Sequence, residues 1–215
     1  MKRSIVLLPG LAFLFLTCAL PAGAGAQGLG FGFAAGYAKP SNSLYSGSVA
    51  GGVVFSIGVM KYLAFEIQAG YLGPAVEASE DGLSEGRLTV VPVQLSVQGR
   101  FPFAGGRVAP FVELGGGYYL NSFALDSNLA KRWKDVGFTL EEKPGGAVGV
   151  HFGGGLDVFL GRRISLGLGL KYSLVTMKAV WSLLDDASRT EVTGELDGLT
   201  LSPLVVGLRV RFFFN

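Results

Sequence analysis

The stretch ISLGLGLKYSL, residues 164–174, decides the fold. Ile164, Leu166, Leu168, Leu170, Tyr172 and Leu174 alternate with Ser165, Gly167, Gly169, Lys171 and Ser173. Successive side chains of a strand point to opposite faces, so this strict period of two predicts a strand with one apolar face. The last segment repeats it, with Val206, Leu208, Val210, Phe212 and Phe214 set against Gly207, Arg209, Arg211 and Phe213. The same test finds eight segments, near 28–38, 49–60, 63–76, 87–100, 108–120, 146–160, 163–177 and 198–214. Residues 61–62, 101–107 and 161–162 join them as short turns, whereas 39–48, 77–86, 121–145 and 178–197 are long and polar, with room for a short helix at 127–136. The fragments 179–183 and 190–193 keep strand character, so strands seven and eight are expected to continue upward as a hairpin.

Composition says what kind of sheet this is. The chain has 215 residues, 49% of them hydrophobic, and only 16% charged, against roughly 25% in ordinary soluble domains. Mean hydropathy is +0.45. Beyond the N-terminus no apolar run reaches the ~18–20 residues of a spanning helix. At the N-terminus, Lys2 and Arg3 precede the apolar run Ile5–Leu20, and Ala24-Gly25-Ala26 follows. This is the pattern of a secretory signal peptide, expected at 1–26 with cleavage after Ala26. Residues 27–215 then form the barrel domain. Cys18, the one cysteine, leaves with the signal, which excludes disulfides and thiol chemistry from the mature chain. Loss of Lys2 and Arg3 also reduces 18 basic residues to 16, equal to the 16 acidic ones. That balance gives no footprint for a nucleic-acid partner.

An apolar chain without helical spans, built from eight alternating segments, predicts an all-β fold: an eight-stranded antiparallel transmembrane β-barrel. Short turns and both termini lie on the periplasmic side, long loops outside. Charge supports this placement. Away from the segment ends, six charged residues stay inside the segments: Glu66, Glu113, Asp157, Lys171, Arg209 and Arg211. All six fall on the non-apolar parity, where they avoid the ~2–4 kcal/mol penalty of a charge facing lipid at mid-membrane. Arg100 is read as a strand-end residue. Tyr37, Tyr71, Tyr118 and Tyr172 each fall on the apolar parity about nine residues into an upward strand, which predicts an outer aromatic girdle. Phe65, Phe212 and Phe214 are expected in the inner one. Much of the inward parity is glycine, which makes room for long charged side chains in a narrow interior. Pro74, Pro92 and Pro203 each remove a ladder hydrogen bond, so bulges or strand ends are expected near them.

The segments APFVELGGGYYLNS (109–122) and HFGGGLDVFLGRRISLGLGLKYSL (151–174) resemble paired strands of small outer-membrane barrels of the OmpA/OmpX/OmpW type. The ending GLRVRFFF (207–214) is similar to the C-terminal signal read by the barrel-assembly machinery, with Gly207, Val210, Phe212 and Phe214 at the expected offsets. The usual terminal aromatic is displaced by Asn215. The resemblance implies an integral protein of the bacterial outer membrane. Its partners would be lipid, lipopolysaccharide and the assembly machinery. A periplasmic domain of the full-length OmpA kind is expected to be absent.

The six interior charges balance, so the expectation is a salt-bridge cluster that closes the lumen, with a polar constriction for small solutes as the alternative. Gln68, Gln94, Ser96 and Gln98 share the inward face. His151, the one histidine, also falls inward, and position 153, where lipid-modifying barrels place a serine, is Gly153. No enzyme activity, cofactor or metal site is therefore expected. Trp133 and Trp181 lie in the two longest loops, 121–145 and 178–197, the candidate surface for a ligand. They are expected to pack within their loops or at the lipopolysaccharide boundary. The functional expectation is a structural or surface-interaction barrel; the alternative is a narrow channel for small or hydrophobic solutes.

Overall fold

The computed structural model describes residues 28–77 and 84–214. The expected signal peptide, 1–26, and the middle of the 77–86 link lie outside the described residues. Eleven strands follow in order: β1 (Leu29–Lys39), β2 (Ser48–Met60), β3 (Leu63–Leu72), β4 (Ala75–Glu77), β5 (Ser84–Arg100), β6 (Val108–Leu125), β7 (Phe138–Pro144), β8 (Ala147–Phe159), β9 (Ile164–Asp185), β10 (Thr190–Thr200) and β11 (Leu204–Phe214). Among the described residues one α-helix, α1 (Ser127–Asp135), lies between β6 and β7, and a 3-10 turn spans Ala104–Gly106.

Eight strands form a ring. The order β1-β2-β3-β5-β6-β8-β9-β11 returns to β1, and every pair in it is antiparallel. The closing pair runs from Leu29 opposite Phe214 to Lys39 opposite Leu204. Closure leaves the ring no free edge, so backbone groups pair within the wall. Outward side chains are apolar and exposed, with Leu114 and Leu208 each at 65%. That is the reverse of a water-soluble surface, where contiguous apolar area stays small.

The remaining strands build an extension beyond one end of the ring, the end expected to face outward. Above the ring, β9 continues between β7 on one side and β10 on the other. The expected hairpin is thus present, with a register shift between Leu196 and Leu199. At its tip, Asp185 accepts hydrogen bonds from the Ala187 and Ser188 amides and from the Ser188 hydroxyl. These bonds hold its carboxyl below the usual carboxylate range. The Asp126 side chain caps α1 by accepting from the Asn128 amide at 2.8 Å. Trp133 packs edge-on against Phe138, with ring centroids 6.5 Å apart.

The prolines divide. Pro74 lies between β3 and β4, and Pro203 immediately precedes β11, both at strand ends. Pro92 departs from the expectation: β5 runs through it with no bulge, opposite Tyr119 of β6. On the β3 side, pairing stops at Ala69–Val93 and resumes at Leu72–Val90. The missing N–H removes ladder bonds on one side only, so the strand continues while the wall loses pairing at that point.

The closing seam explains two glycines. A Cβ on Gly32 would fall 2.1 Å from the Val210 carbonyl oxygen, and one on Gly36 would fall 2.3 Å from that of Val206. These neighbours are backbone and cannot rotate away. Gly32→Val is expected to destabilise the barrel by about 1–3 kcal/mol through overpacking, measured by urea titration of the refolded protein.

Candidate functional site

The lumen collects the inward charges. Glu66 comes from β3, Glu113 from β6, Asp157 from β8, Lys171 from β9, and Arg209 and Arg211 from β11. Arg209 donates to Glu66 at 3.1 Å and to Asp157 at 3.2 Å, and lies 3.8 Å from Glu113. Lys171 pairs with Glu113 at 3.2 Å. Arg211 bridges Glu66 and Asp157 and donates to the Ser165 hydroxyl at 3.3 Å. The Arg209 guanidinium stacks on Phe111, 3.9 Å from the ring centre.

Arg100 joins them. Read from the sequence as a strand-end residue, it is buried, lies 3.6 Å from Glu66 and donates to Gln98 at 2.6 Å. The cluster is therefore four cations and three carboxylates, not the balanced six the alternation implied. Alternation identifies the inward parity, but it cannot say how far a long side chain at the rim of a strand folds back into the lumen.

Glycines make the room. A Cβ on Gly167 would fall 2.5 Å from Asp157 and 2.7 Å from Arg209, and one on Gly153 would fall 3.2 Å from Glu113. The strand carrying Lys171 is thus shaped around the ions.

Two apolar layers flank the charges. On the periplasmic side Phe159 and Phe213 pack with centroids 5.8 Å apart, beside Ala109. On the extracellular side Leu88, Val90, Tyr119, Val175 and Met177 turn inward and meet Tyr45 and Leu201 from the links above. Leu201 is placed by its backbone: it donates to the Val175 carbonyl and accepts from the Ser41 amide. The upper layer was not read from the sequence, because the polar-inside rule was applied along the whole strand. Val175 and Met177, just past the 164–174 stretch, are apolar and inward. Between charges and upper layer lies a cavity of about 110 Å³, bordered by Gln68, Gln94, Glu113, Tyr119, Lys171, Ser173 and Arg209, and reaching Gly70, Tyr71 and Pro92 at the interrupted ladder.

Ser96 and His151 meet in the lumen, with Oγ and Nε2 2.7 Å apart. Both are buried. The sequence reading noted each as inward but did not bring them together, since they lie on β5 and β8, two strands apart in the ring. Among the described residues no carboxylate orients the other imidazole nitrogen.

Tyr37, Tyr71, Tyr118 and Tyr172, the residues expected in an outer girdle, touch the links beside them. Tyr37, Tyr71 and Tyr118 are exposed, and their phenols lie against Gly47, Gly73 and Gly146. A Cβ on those glycines would fall 1.7, 2.7 and 2.0 Å from the phenol oxygens. Tyr172 is half-buried beside Phe152 and shares a 3.1 Å hydrogen bond with Ser41. Each thus touches the root of an extracellular link. Phe65, Phe212 and Phe214, at the other end, are exposed on the wall. In the C-terminal segment 207–214 Gly207 pairs with Gly36 and Phe212 with Phe31 across the closing seam. Trp181 is half-buried within β9, beside Gly194 of β10.

Removing one partner from a buried ion network strands the others in low dielectric, at a cost of about 3–5 kcal/mol. Asp157→Asn, which strips Arg209 and Arg211 of a shared carboxylate, is expected to destabilise by that amount in chemical unfolding. A surface carboxylate changed the same way, Asp135→Asn, is expected to change little.

Solved structures share the architecture. The outer membrane protein OprG from Pseudomonas aeruginosa superposes with a TM-score of 0.65 at 17% identity, covering 88% of this chain and 99% of that one. Neisserial surface protein A gives 0.58 at 14%, covering 89% and 100%. Escherichia coli outer membrane protein W gives 0.52 at 17%, covering 90% and 100%. At such identities the likeness is one of fold. No curated protein matches the sequence. The family model described as "Outer membrane protein beta-barrel domain" matches residues 10–212. With a ring of eight antiparallel strands, an apolar outer wall and an ionic cluster inside the lumen, the chain belongs to this outer-membrane β-barrel family.

Proposed function

We propose that this outer-membrane barrel serves as a surface-presenting scaffold whose lumen is closed to ions, without enzymatic activity. The observation that carries the reading is the seven-charge network drawn from β3, β5, β6, β8, β9 and β11 across one lumen. The apolar layers on either side add a second obstacle to hydrated ions. The working surface is then the extension above the ring, β7, β9, β10 and α1, drawn from the links at 121–145 and 178–197. Lipid and lipopolysaccharide surround the wall, and the assembly machinery reads Gly207, Val210, Phe212 and Phe214. Ser96 and His151 act as packing partners: both are buried, and among the described residues no orienting acid completes a catalytic set. The test is planar-bilayer recording of the purified protein with matched unfolding curves. The wild type is expected not to conduct steadily. Arg209→Ala/Arg211→Ala is expected to lower thermal stability. Unchanged stability with a rise in conductance would instead make the cluster a gate.

A second reading rests on its own observation. The cavity reaches the wall where β3 and β5 lack pairing beside Pro92. A small apolar solute entering from the extracellular mouth could leave there toward lipid without crossing the ionic layer. Pro92→Val restores the N–H and is expected to slow uptake of a small fluorescent hydrocarbon into proteoliposomes several-fold while leaving ion conductance unchanged. Equal uptake by the variant and by protein-free liposomes removes this reading.

A further inference from the structure

We propose that the rim of the ring opposite the extension docks on anionic glycerophospholipid headgroups of the leaflet it faces. Residues 27–215 hold as many basic as acidic residues, yet the acids are confined to two places. Glu66, Glu113 and Asp157 lie in the lumen, and every other acidic residue of this stretch lies in 77–86, 121–145 and 178–197, at the extension end. The opposite end is built from the turns 61–62, 101–107 and 160–163. They contain Lys61, Arg107, Arg162 and Arg163 and no acidic residue. All four cations are exposed. Among the described residues none of them makes an ion pair. A carboxylate at Asn215, outside the described residues, would offset one of the four at most. A chain without net charge thus carries a cationic rim, and it is this local field that a partner meets.

Backbone hydrogen bonds join the turns to the wall. The Arg100 amide donates to the Tyr62 carbonyl at 2.9 Å, the Phe159 amide to that of Arg107 at 2.8 Å, and the Phe213 amide to that of Arg163 at 2.7 Å. Each turn is therefore bonded to the end of a neighbouring strand. The turn 101–107 lies directly against the strand that leads into 160–163, so Arg107, Arg162 and Arg163 fall along one arc of the rim. The planar guanidinium presents paired donors that match phosphate oxygens.

Depth in the bilayer favours lipid over a soluble partner. Phe101 and Phe103 continue the outward parity of Leu95 and Val97 on β5, and Leu160 continues that of Val158 on β8. All of these are exposed. The same turns thus carry apolar side chains on the lipid-facing parity and cations beside them. That is the arrangement of a segment at the boundary between hydrocarbon and charged headgroups. A water-soluble acidic partner would use the cations and leave Phe101, Phe103 and Leu160 idle, whereas a lipid surface takes both. The rim does not depend on whether the lumen conducts, so its failure would leave the closed-scaffold reading standing, and the reverse also holds.

The experiment reconstitutes the full barrel in phosphatidylcholine bilayers with a trace of spin-labelled phosphatidylglycerol or spin-labelled phosphatidylcholine. Electron paramagnetic resonance then measures the lipid held at the protein. The anionic label is expected to associate several-fold more strongly at low salt, and the preference to fall as sodium chloride rises. Lys61→Gln/Arg107→Gln/Arg162→Gln/Arg163→Gln is expected to remove the preference. Arg162→Gln/Arg163→Gln, confined to one turn, is expected to weaken it and serves if the four-residue variant does not refold. Lys131→Gln/Arg132→Gln/Lys134→Gln, which takes three cations from α1 at the other end, is expected to retain it. Equal association of the two labels with the wild type, a preference unchanged by the rim variants, or one lost on the α1 change would each overturn the proposal. Equal association together with saturable binding of soluble polyglutamate would overturn it too, and would give the rim to an acidic protein segment.

Discussion

Backbone hydrogen bonding in hydrocarbon is the constraint on which everything else rests. An unpaired N–H or C=O in a bilayer has no water to turn to, so a sheet can cross only when its first and last strands meet. Here they meet in the register that sets Leu29 against Phe214 and Lys39 against Leu204. Side-chain alternation then has only two destinations, lipid and lumen. The apolar parity goes outward, which is why an exposed Leu114 or Leu208 is comfortable in this protein. The seam also demands glycine, since at Gly32 and Gly36 the strands approach too closely for a Cβ.

Closing eight strands leaves an interior wide enough for side chains and little more. Charges placed there lose most of their water and must satisfy one another. The network answers this through shared partners: Glu66 serves Arg100, Arg209 and Arg211, and Asp157 serves Arg209 and Arg211. Such a cluster is a weak source of net stability, yet losing one member is costly, because any incomplete version leaves an ion stranded. The glycines of β8 and β9 belong to the same solution, giving up side-chain volume that the arginines, Glu113 and Asp157 occupy. Above the ions, the Tyr45 and Leu201 side chains enter from outside the ring. The links at that end are thereby tied to the wall by packing inside and by the contacts of Tyr37, Tyr71, Tyr118 and Tyr172 outside.

Much of this was legible in the sequence where the signal is local. The period of two in 164–174 and 206–214 marks strands and tells their faces apart without knowledge of their partners. The hairpin above the ring was visible in 179–183 and 190–193 for the same reason. What failed was whatever depends on reach across the lumen or on height within it. Arg100 does sit at a strand end, the last residue of β5, but the sequence does not show its side chain folding back toward Glu66. The pairing of Ser96 with His151 joins residues 55 positions apart, and nothing local announces it. Val175 and Met177 follow the same parity as Ser165 and Ser173, yet they are apolar because they lie at a different depth.

Pro92 marks the boundary between the two kinds of information. Its chemistry, the missing N–H, is a property of the residue and was read correctly as a disturbance of the ladder. Where the disturbance would fall was a matter of neighbours: β6 pairs straight past it, and β3 alone loses contact. By itself the sequence determined strand periodicity, the apolar wall and the inward parity of Glu66, Glu113, Asp157, Lys171, Arg209 and Arg211, because these follow from the pleat of a single strand. Only the tertiary structure decided which ions share partners, that a fourth cation joins them, and that a cavity lies above them. Those depend on the distances between strands that closure of the ring brings together.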